Sequence, residues 1–326
     1  MDRTKIEWTD ATWNPLRGCS RVSEGCRNCY AERVAARFIG KGQAYEGLAY
    51  RHYENDTVAN TIDYEPRWTG EVRLIREAMD QPLKWKRPRK IFVNSMSDLF
   101  HEKVSDGVIW QIFNVMRRAH WHTFQVLTKR PERMLRWFQE IDRGTLRDRD
   151  FQWPLPNVWL GVSVETQGNA DKRIPLLLRT PAAVRWISAE PLLGPLDISQ
   201  FTPGGWGCSG CGYRERGSVG RCYGYCQDPS GRSCDAVPCP RCGKRHYWTG
   251  SVASIKWVVA GGESGPGARP MDVAWAWELK DQCNKTNVPF LFKQWGEYGE
   301  NGRKVGKKVA GRLLLGKTYD EYPVPA

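Results

Sequence analysis

Short runs of apolar, β-branched and aromatic residues recur along the chain, and each gives way to a polar or glycine-rich cluster. They fall at residues 91–93, 124–127, 158–162, 184–187, 255–260 and 290–292. Runs of this length and composition predict buried strands. Helical periods fill the gaps between them. Val108, Ile109, Ile112, Phe113, Val115 and Met116 make one apolar face between residues 104 and 120. Pro131 stands where a helix can begin, ahead of Met134, Leu135, Phe138 and Ile141. A third helix is expected over residues 271–285.

The strand starts at 91, 124, 158 and 184 are 33, 34 and 26 residues apart, the length of a strand–helix unit. The next step, from 184 to 255, is 71 residues. A usual unit takes about thirty, so this one holds an insertion of roughly forty. Strands that are apolar throughout and alternate with helices predict an α/β fold with a parallel sheet. Six such strands, with one more by the first cysteines, suit a complete or partial β/α barrel. A doubly wound sheet is the alternative. The organisation expected is a barrel core at residues 1–200 and 251–300, an insertion at 201–250 and a basic tail at 301–326.

In a β/α barrel the loops that follow the strands share one face, and that face carries the active site. This rule gathers Cys19, Cys26, Cys29, Asp98, Lys129, Arg130, Glu165, Glu190, Glu263 and Lys293 around one mouth. The three cysteines are spaced C-x6-C-x2-C. Three thiolates on one short loop can hold three irons of a four-iron cluster and leave the fourth open to a small molecule. A structural zinc ion needs a fourth ligand, which would have to come from elsewhere in the chain. Plain thiols are the remaining reading.

Composition sets the surroundings. Eleven cysteines behind a start with no apolar signal core argue for metal ligation in a reducing compartment, with the cytoplasm as the expected location. No run of eighteen apolar residues exists, so no membrane span is expected. Lys and Arg number 49 against 36 Asp and Glu, and the resulting charge of +13 attracts polyanions. Most of the sixteen tryptophans are expected to be core or surface-covering residues, with the rest available to stack on bases. Two basic stretches, residues 83–90 and 302–318, point to nucleic acid as substrate or partner.

Residues 208–246 hold seven cysteines and a histidine. Cys208 and Cys211, with Cys239 and Cys242, have the paired C-x2-C spacing of a zinc ribbon. Cys222, Cys226, Cys234 and His246 could make a second site, so one or two zinc ions are expected to supply most of the folding energy here. The module also carries seven basic residues against three acidic ones, which suits a grip on nucleic acid or simply the folding of a long insertion.

The loop Gly-Cys-x6-Cys-Arg-Asn-Cys-Tyr at residues 18–30, with blocks at 94–100, 127–133, 161–165, 189–194, 261–270 and 292–296, resembles phage and bacterial three-Cys-motif proteins. That family is of largely unassigned function, and the resemblance covers nearly the whole chain outside the insertion and parts of residues 40–88. The family is similar in turn to the radical S-adenosylmethionine superfamily, whose usual C-x3-C-x2-C loop sits on a partial β/α barrel. Here the first gap is three residues longer, and Tyr30 follows the last cysteine where the superfamily has an aromatic before it.

The resemblance implies a 4Fe-4S cluster on Cys19, Cys26 and Cys29 that binds S-adenosylmethionine. With an electron from an external donor, it would cleave that cofactor to methionine and a 5′-deoxyadenosyl radical. It implies Tyr30, Ser95, Ser97, Asp98, Ser163, Glu165, Glu190 and Glu263 as residues around the cofactor. Gly261 and Gly262 would let backbone approach the adenosine, and Lys129, Arg130 and Lys293 would meet substrate phosphate. An auxiliary iron–sulfur cluster becomes the alternative to zinc in the insertion. The activity expected is that of a radical enzyme on nucleic acid, in DNA repair or base modification, with a duplex base flipped out to react. The alternatives are a non-catalytic iron–sulfur or zinc protein that binds nucleic acid, and a radical enzyme on a peptide or small metabolite.

Overall fold

A computed structural model describes residues 6–56, 61–142, 153–203 and 254–324, together with Thr4 and residues 206–207 and 214–215. Seven strands form its main sheet: β1 (Ala11–Trp13), β2 (Lys90–Val93), β3 (Thr123–Thr128), β4 (Val158–Ser163), β5 (Val184–Ala189), β6 (Trp257–Gly261) and β7 (Phe290–Gln294). Their order in space is their order in the chain, and every neighbouring pair is parallel. A doubly wound sheet reverses its strand order at a switch point, and this one never does. β1 and β7 do not pair with each other, so the sheet curls into a partial barrel and the complete one is excluded.

The strands read as continuous apolar runs because both faces are covered, but by different partners. Ile91, Val93, Phe124, Val126, Leu160, Ile187, Val258 and Phe292 share a core with residues of α2 (Asp106–Arg118), α3 (Pro131–Asp142), α4 (Gln167–Arg179) and α5 (Val273–Lys285); α1 (Tyr30–Ala35) follows the cysteine loop. The alternate positions Phe92, Trp159, Trp186, Trp257, Val259 and Leu291 meet Trp8 in a second cluster inside the curl. Its rings touch at centroid distances of 4.6 Å for Trp8–Phe92, 5.1 Å for Trp186–Trp257 and 5.2 Å for Trp8–Trp186. Four of the sixteen tryptophans, Trp8, Trp159, Trp186 and Trp257, thus form a packed floor.

Gly161 in β4 makes this floor possible. A Cβ there would lie 2.5 Å from the Trp186 ring. Gly161→Ala is therefore expected to cost about 1–3 kcal/mol by overpacking, read as a lower urea midpoint with an unchanged slope.

The insertion leaves and re-enters the core at one point. The Ile255 N–H donates to the Phe201 carbonyl at 2.9 Å, between β5 and β6. Its ligand candidates Cys208, Cys211, Cys222, Cys226, Cys234, Cys239, Cys242 and His246 lie outside the described residues. The far end of the basic tail is built into the sheet edge. Phe292 N–H donates to Tyr319 O at 3.0 Å, and Glu321 N–H to Phe290 O at 3.3 Å, closing the open side of β7. Among the described residues no helix is long and apolar enough to cross a membrane.

Candidate functional site

A cavity of about 640 Å³ opens where the strands end. Cys19, Cys26, Cys29 and Tyr30 line it from the loop after β1, and Ser95, Ser97 and Asp98 from the loop after β2. Lys129 and Arg130 follow β3. Ser163 ends β4, and Glu190 follows β5. Gly262 and Glu263 follow β6, and Lys293 lies in β7. Trp8, Phe92 and Leu127 form part of its apolar lining. Of the described residues singled out in the sequence, only Glu165 and Gly261 stand outside this wall.

The cysteine loop is held by the loops that follow the other strands. Near its start, Arg130 Nη2 donates to Ser20 Oγ at 2.7 Å and Arg130 Nη1 lies 3.9 Å from Cys19 Sγ. Ser20 Oγ also meets His101 Nε2 at 2.9 Å. In its middle, Ser23 Oγ donates to Glu165 Oε1 at 3.3 Å, and a Cβ on Gly25 would fall 2.3 Å from Glu165 Cγ. At its end, Asn28 Nδ2 donates to Glu263 Oε2 at 2.9 Å and to Gly267 O at 2.7 Å. Tyr30 Oη donates to Ser95 O at 2.6 Å, and Arg33 in α1 reaches the carbonyls of Ser264 and Pro266.

Most of the acids expected around a cofactor are engaged with the protein instead. Asp98 takes hydrogen bonds from Thr128 Oγ1 at 2.7 Å, Phe100 N at 2.9 Å, Lys129 N at 3.1 Å and Arg130 Nη1 at 3.1 Å. Glu165 is fully buried between Lys129 Nζ at 3.0 Å and Arg173 Nη1 at 2.9 Å, with Asn169 Nδ2 at 2.8 Å. Burial alone would raise its pKa, but the two cations outweigh it and hold the carboxyl below its usual range. Glu263 is gripped by Arg269 through both oxygens, at 2.8 and 3.0 Å, and is likewise held low against the cost of burial. The cations expected to meet phosphate are spent in the same pairs. Lys129 faces Glu165, Arg130 faces Asp98 and Glu102, and Lys293 Nζ lies 3.1 Å from Glu190 Oε1.

The two glycines after β6 serve the protein's own backbone. A Cβ on Gly262 would lie 2.0 Å from the Trp295 carbonyl oxygen, and one on Gly261 would lie 2.8 Å from Glu190 Oε1. Their missing side chains are thus accounted for by packing between neighbouring loops.

Five residues of the cavity wall carry buried polar atoms with no hydrogen-bond partner: Trp8 Nε1, Asn94 Nδ2, Ser97 Oγ, Glu190 Oε1 and Gln294 Oε1. The Glu190 oxygen is close enough to Lys293 for charge attraction but not aligned for a hydrogen bond. Buried polar atoms are rarely left unpaired, so these suit a ligand with polar groups of its own. Thiols are also the donor type that an iron–sulfur cluster takes. All three thiols are free and share one cavity. Burial, followed by the Asp98 charge, pushes the Cys19 thiol up to about 12 despite Arg130, and burial raises Cys29 as well. Metal ligation would have to displace those protons. Among the described residues no three His, Cys, Asp or Glu side chains already stand in a metal-ligating arrangement.

Several residues that build the site had no role in the sequence reading: Ser20, Asn28, Arg33, His101, Asn169, Arg173 and Arg269. Arg269 sits inside the Gly-Pro-Gly-Ala-Arg-Pro block after β6, where its charge beside Glu263 was the available signal. Arg173 lies on α4, which the apolar period did not reveal.

Over residues 3–323 the chain matches the family described as "Protein of unknown function (DUF5131)", and it belongs to that family. No curated protein and no solved structure matches it, and none of these comparisons links it to the radical S-adenosylmethionine superfamily.

Proposed function

We propose that this member of the family is an iron–sulfur enzyme of the radical S-adenosylmethionine type that acts on nucleic acid. One observation carries the reading: three free cysteines of one short loop line a single cavity at the strand ends of a parallel partial barrel. Cys19, Cys26 and Cys29 would hold the cluster. The unpaired polar atoms of Asn94, Ser97, Glu190 and Gln294 would meet the amino acid and ribose parts of the cofactor. A bound cluster and sulfonium cofactor supply one-electron cleavage chemistry that a protein side chain cannot.

The chain's own residues prepare that chemistry. Arg130 places a buried cation beside Cys19 and so favours its thiolate form. The apolar lining of Trp8, Phe92 and Leu127 keeps water from one side of the cavity. Ser23, Asn28 and Tyr30 fix the loop against three separate strand-end loops, which holds the donors in place when a ligand arrives.

Anaerobic reconstitution with iron and sulfide tests this. The full chain is expected to take up about four irons and four sulfides that depend on the three loop cysteines. Uptake of zinc alone, or iron uptake indifferent to those cysteines, would count against the reading.

A further inference from the structure

We propose that residues 302–318 form a rim that binds the sugar–phosphate backbone of a nucleic acid at the cavity mouth, and that the other basic stretch, at residues 83–90, takes no part. This rests on the nucleic-acid part of the function proposed above. Chain direction separates the two stretches. Residues 83–90 lead into β2 at its N-terminal end, so the exposed Lys84, Lys86 and Arg87 stand at the end of the barrel away from the cavity. The tail segment instead follows the C-terminal end of β7 and is tied to the mouth. Glu297 N–H donates to Glu263 O at 2.9 Å, Gly265 N–H donates to Glu297 Oε1 at 2.7 Å, and Lys307 itself lines the cavity.

The rim is a shaped surface of unbalanced charge. No Asp or Glu occurs between Glu300 and Asp320. Among the described residues Lys307 pairs with Glu7 at 3.5 Å and Arg312 pairs with Asp320. Arg303, Lys304, Lys308 and Lys317 meet no carboxylate there, and all four are exposed. Gly302, Gly306, Gly311 and Gly316 all have positive φ, from 69° to 84°, so the cations are carried on a series of fixed turns. Like charges gathered without acids repel one another, and a polyanion relieves that repulsion. A flat anionic bilayer could meet the cations but could not enter the cavity beside them. A strand can do both, by lying on the rim while one nucleotide turns out of the stack into a space of small-ligand size.

The test compares two triple variants of the full chain, each lowering the net charge by the same amount. One is Lys304→Gln, Lys308→Gln and Lys317→Gln on the rim; the other is Lys84→Gln, Lys86→Gln and Arg87→Gln at the far end. Binding to short fluorescein-labelled single-stranded DNA and RNA is read by anisotropy over a salt series, with thermal midpoints confirming that both variants are folded. The rim variant is expected to bind about tenfold or more weakly at about 0.1 M salt. Its log–log salt slope should shrink by about 2, roughly 0.7 for each lost phosphate contact. The far-end variant should stay within about twofold of the parent. Equal loss from both variants, or greater loss from the far end, overturns the rim while leaving nucleic acid as the partner. A parent that binds neither oligonucleotide at low salt removes nucleic acid from the proposed function and the rim with it. A parent that binds phosphatidylserine vesicles and no oligonucleotide makes the rim a membrane contact instead.

Discussion

Cys26→Ala is expected to yield a folded protein that cannot assemble the loop cluster, with the broad visible absorption of the reconstituted parent absent or greatly reduced. The loop supplies only three thiols, so losing one leaves two, too few to anchor a four-iron cluster with a single open iron. Cys26 is the most informative of the three. It ends the short turn Glu24–Cys26, and none of that turn's residues is buried. Cys19 and Cys29 instead pack partly against a small cluster built on Ala31, Ala35, Trp68 and Met96. Truncating Cys26 should therefore change stability by no more than about 0.5 kcal/mol, the usual range for a surface position. A variant with normal stability and no loop cluster separates ligand loss from misfolding. Absorption and iron content equal to the parent's would show that the cluster, if any, is held elsewhere.

Glu165→Ala is expected to destabilise the protein by about 3–5 kcal/mol. Glu165 is fully buried and joins Lys129 to Arg173, so removing it leaves the buried Arg173 and the partly buried Lys129 without their common partner. The loss should spread to the cysteine loop, because Gly25 rests against the Glu165 side chain and Ser23 bonds to it. A urea titration reads the stability. The pH dependence follows from the sign of the shift. The folded carboxyl lies below its ordinary range, so its contribution is fully present above the unfolded value of about 4.3 and is lost as pH falls through the folded value. The gap between parent and variant should accordingly be widest near neutrality and narrow in acid. A variant as stable as the parent at neutral pH would mean that the ion triad adds nothing over its desolvation cost.

The strands were legible because buried parallel strands are apolar on both faces, and that pattern survives in one dimension. The expected strand starts fall within about two residues of those found for β2 through β7. The helices α2 and α3 announced themselves by their periods, and α5 was expected over residues 271–285. α4 did not, because it opens on the polar run Gln167–Lys172 and carries Pro175 inside. The hairpin pairing Ala49–Asp56 with Thr61–Trp68 left no signal either, since its sequence is polar and has no sustained alternation.

The same contrast holds at the site. Topology alone was enough to bring the strand-end residues to one mouth. Their roles needed partners, and partners lie far apart in sequence. Glu165 and Asp98 were both expected around a cofactor, and only the folded chain shows Lys129 and Arg173 meeting the first and Thr128 and Arg130 the second. The atoms left open, on Trp8, Asn94, Ser97, Glu190 and Gln294, could only be found once every neighbour was in place.

The most direct test of the central claim is the fate of S-adenosylmethionine. The anaerobically reconstituted full chain, reduced with dithionite, is expected to convert it to 5′-deoxyadenosine and methionine in equal amounts, measured by chromatography, while Cys26→Ala converts none. Intact S-adenosylmethionine after incubation with a protein that has demonstrably bound its iron would contradict the account.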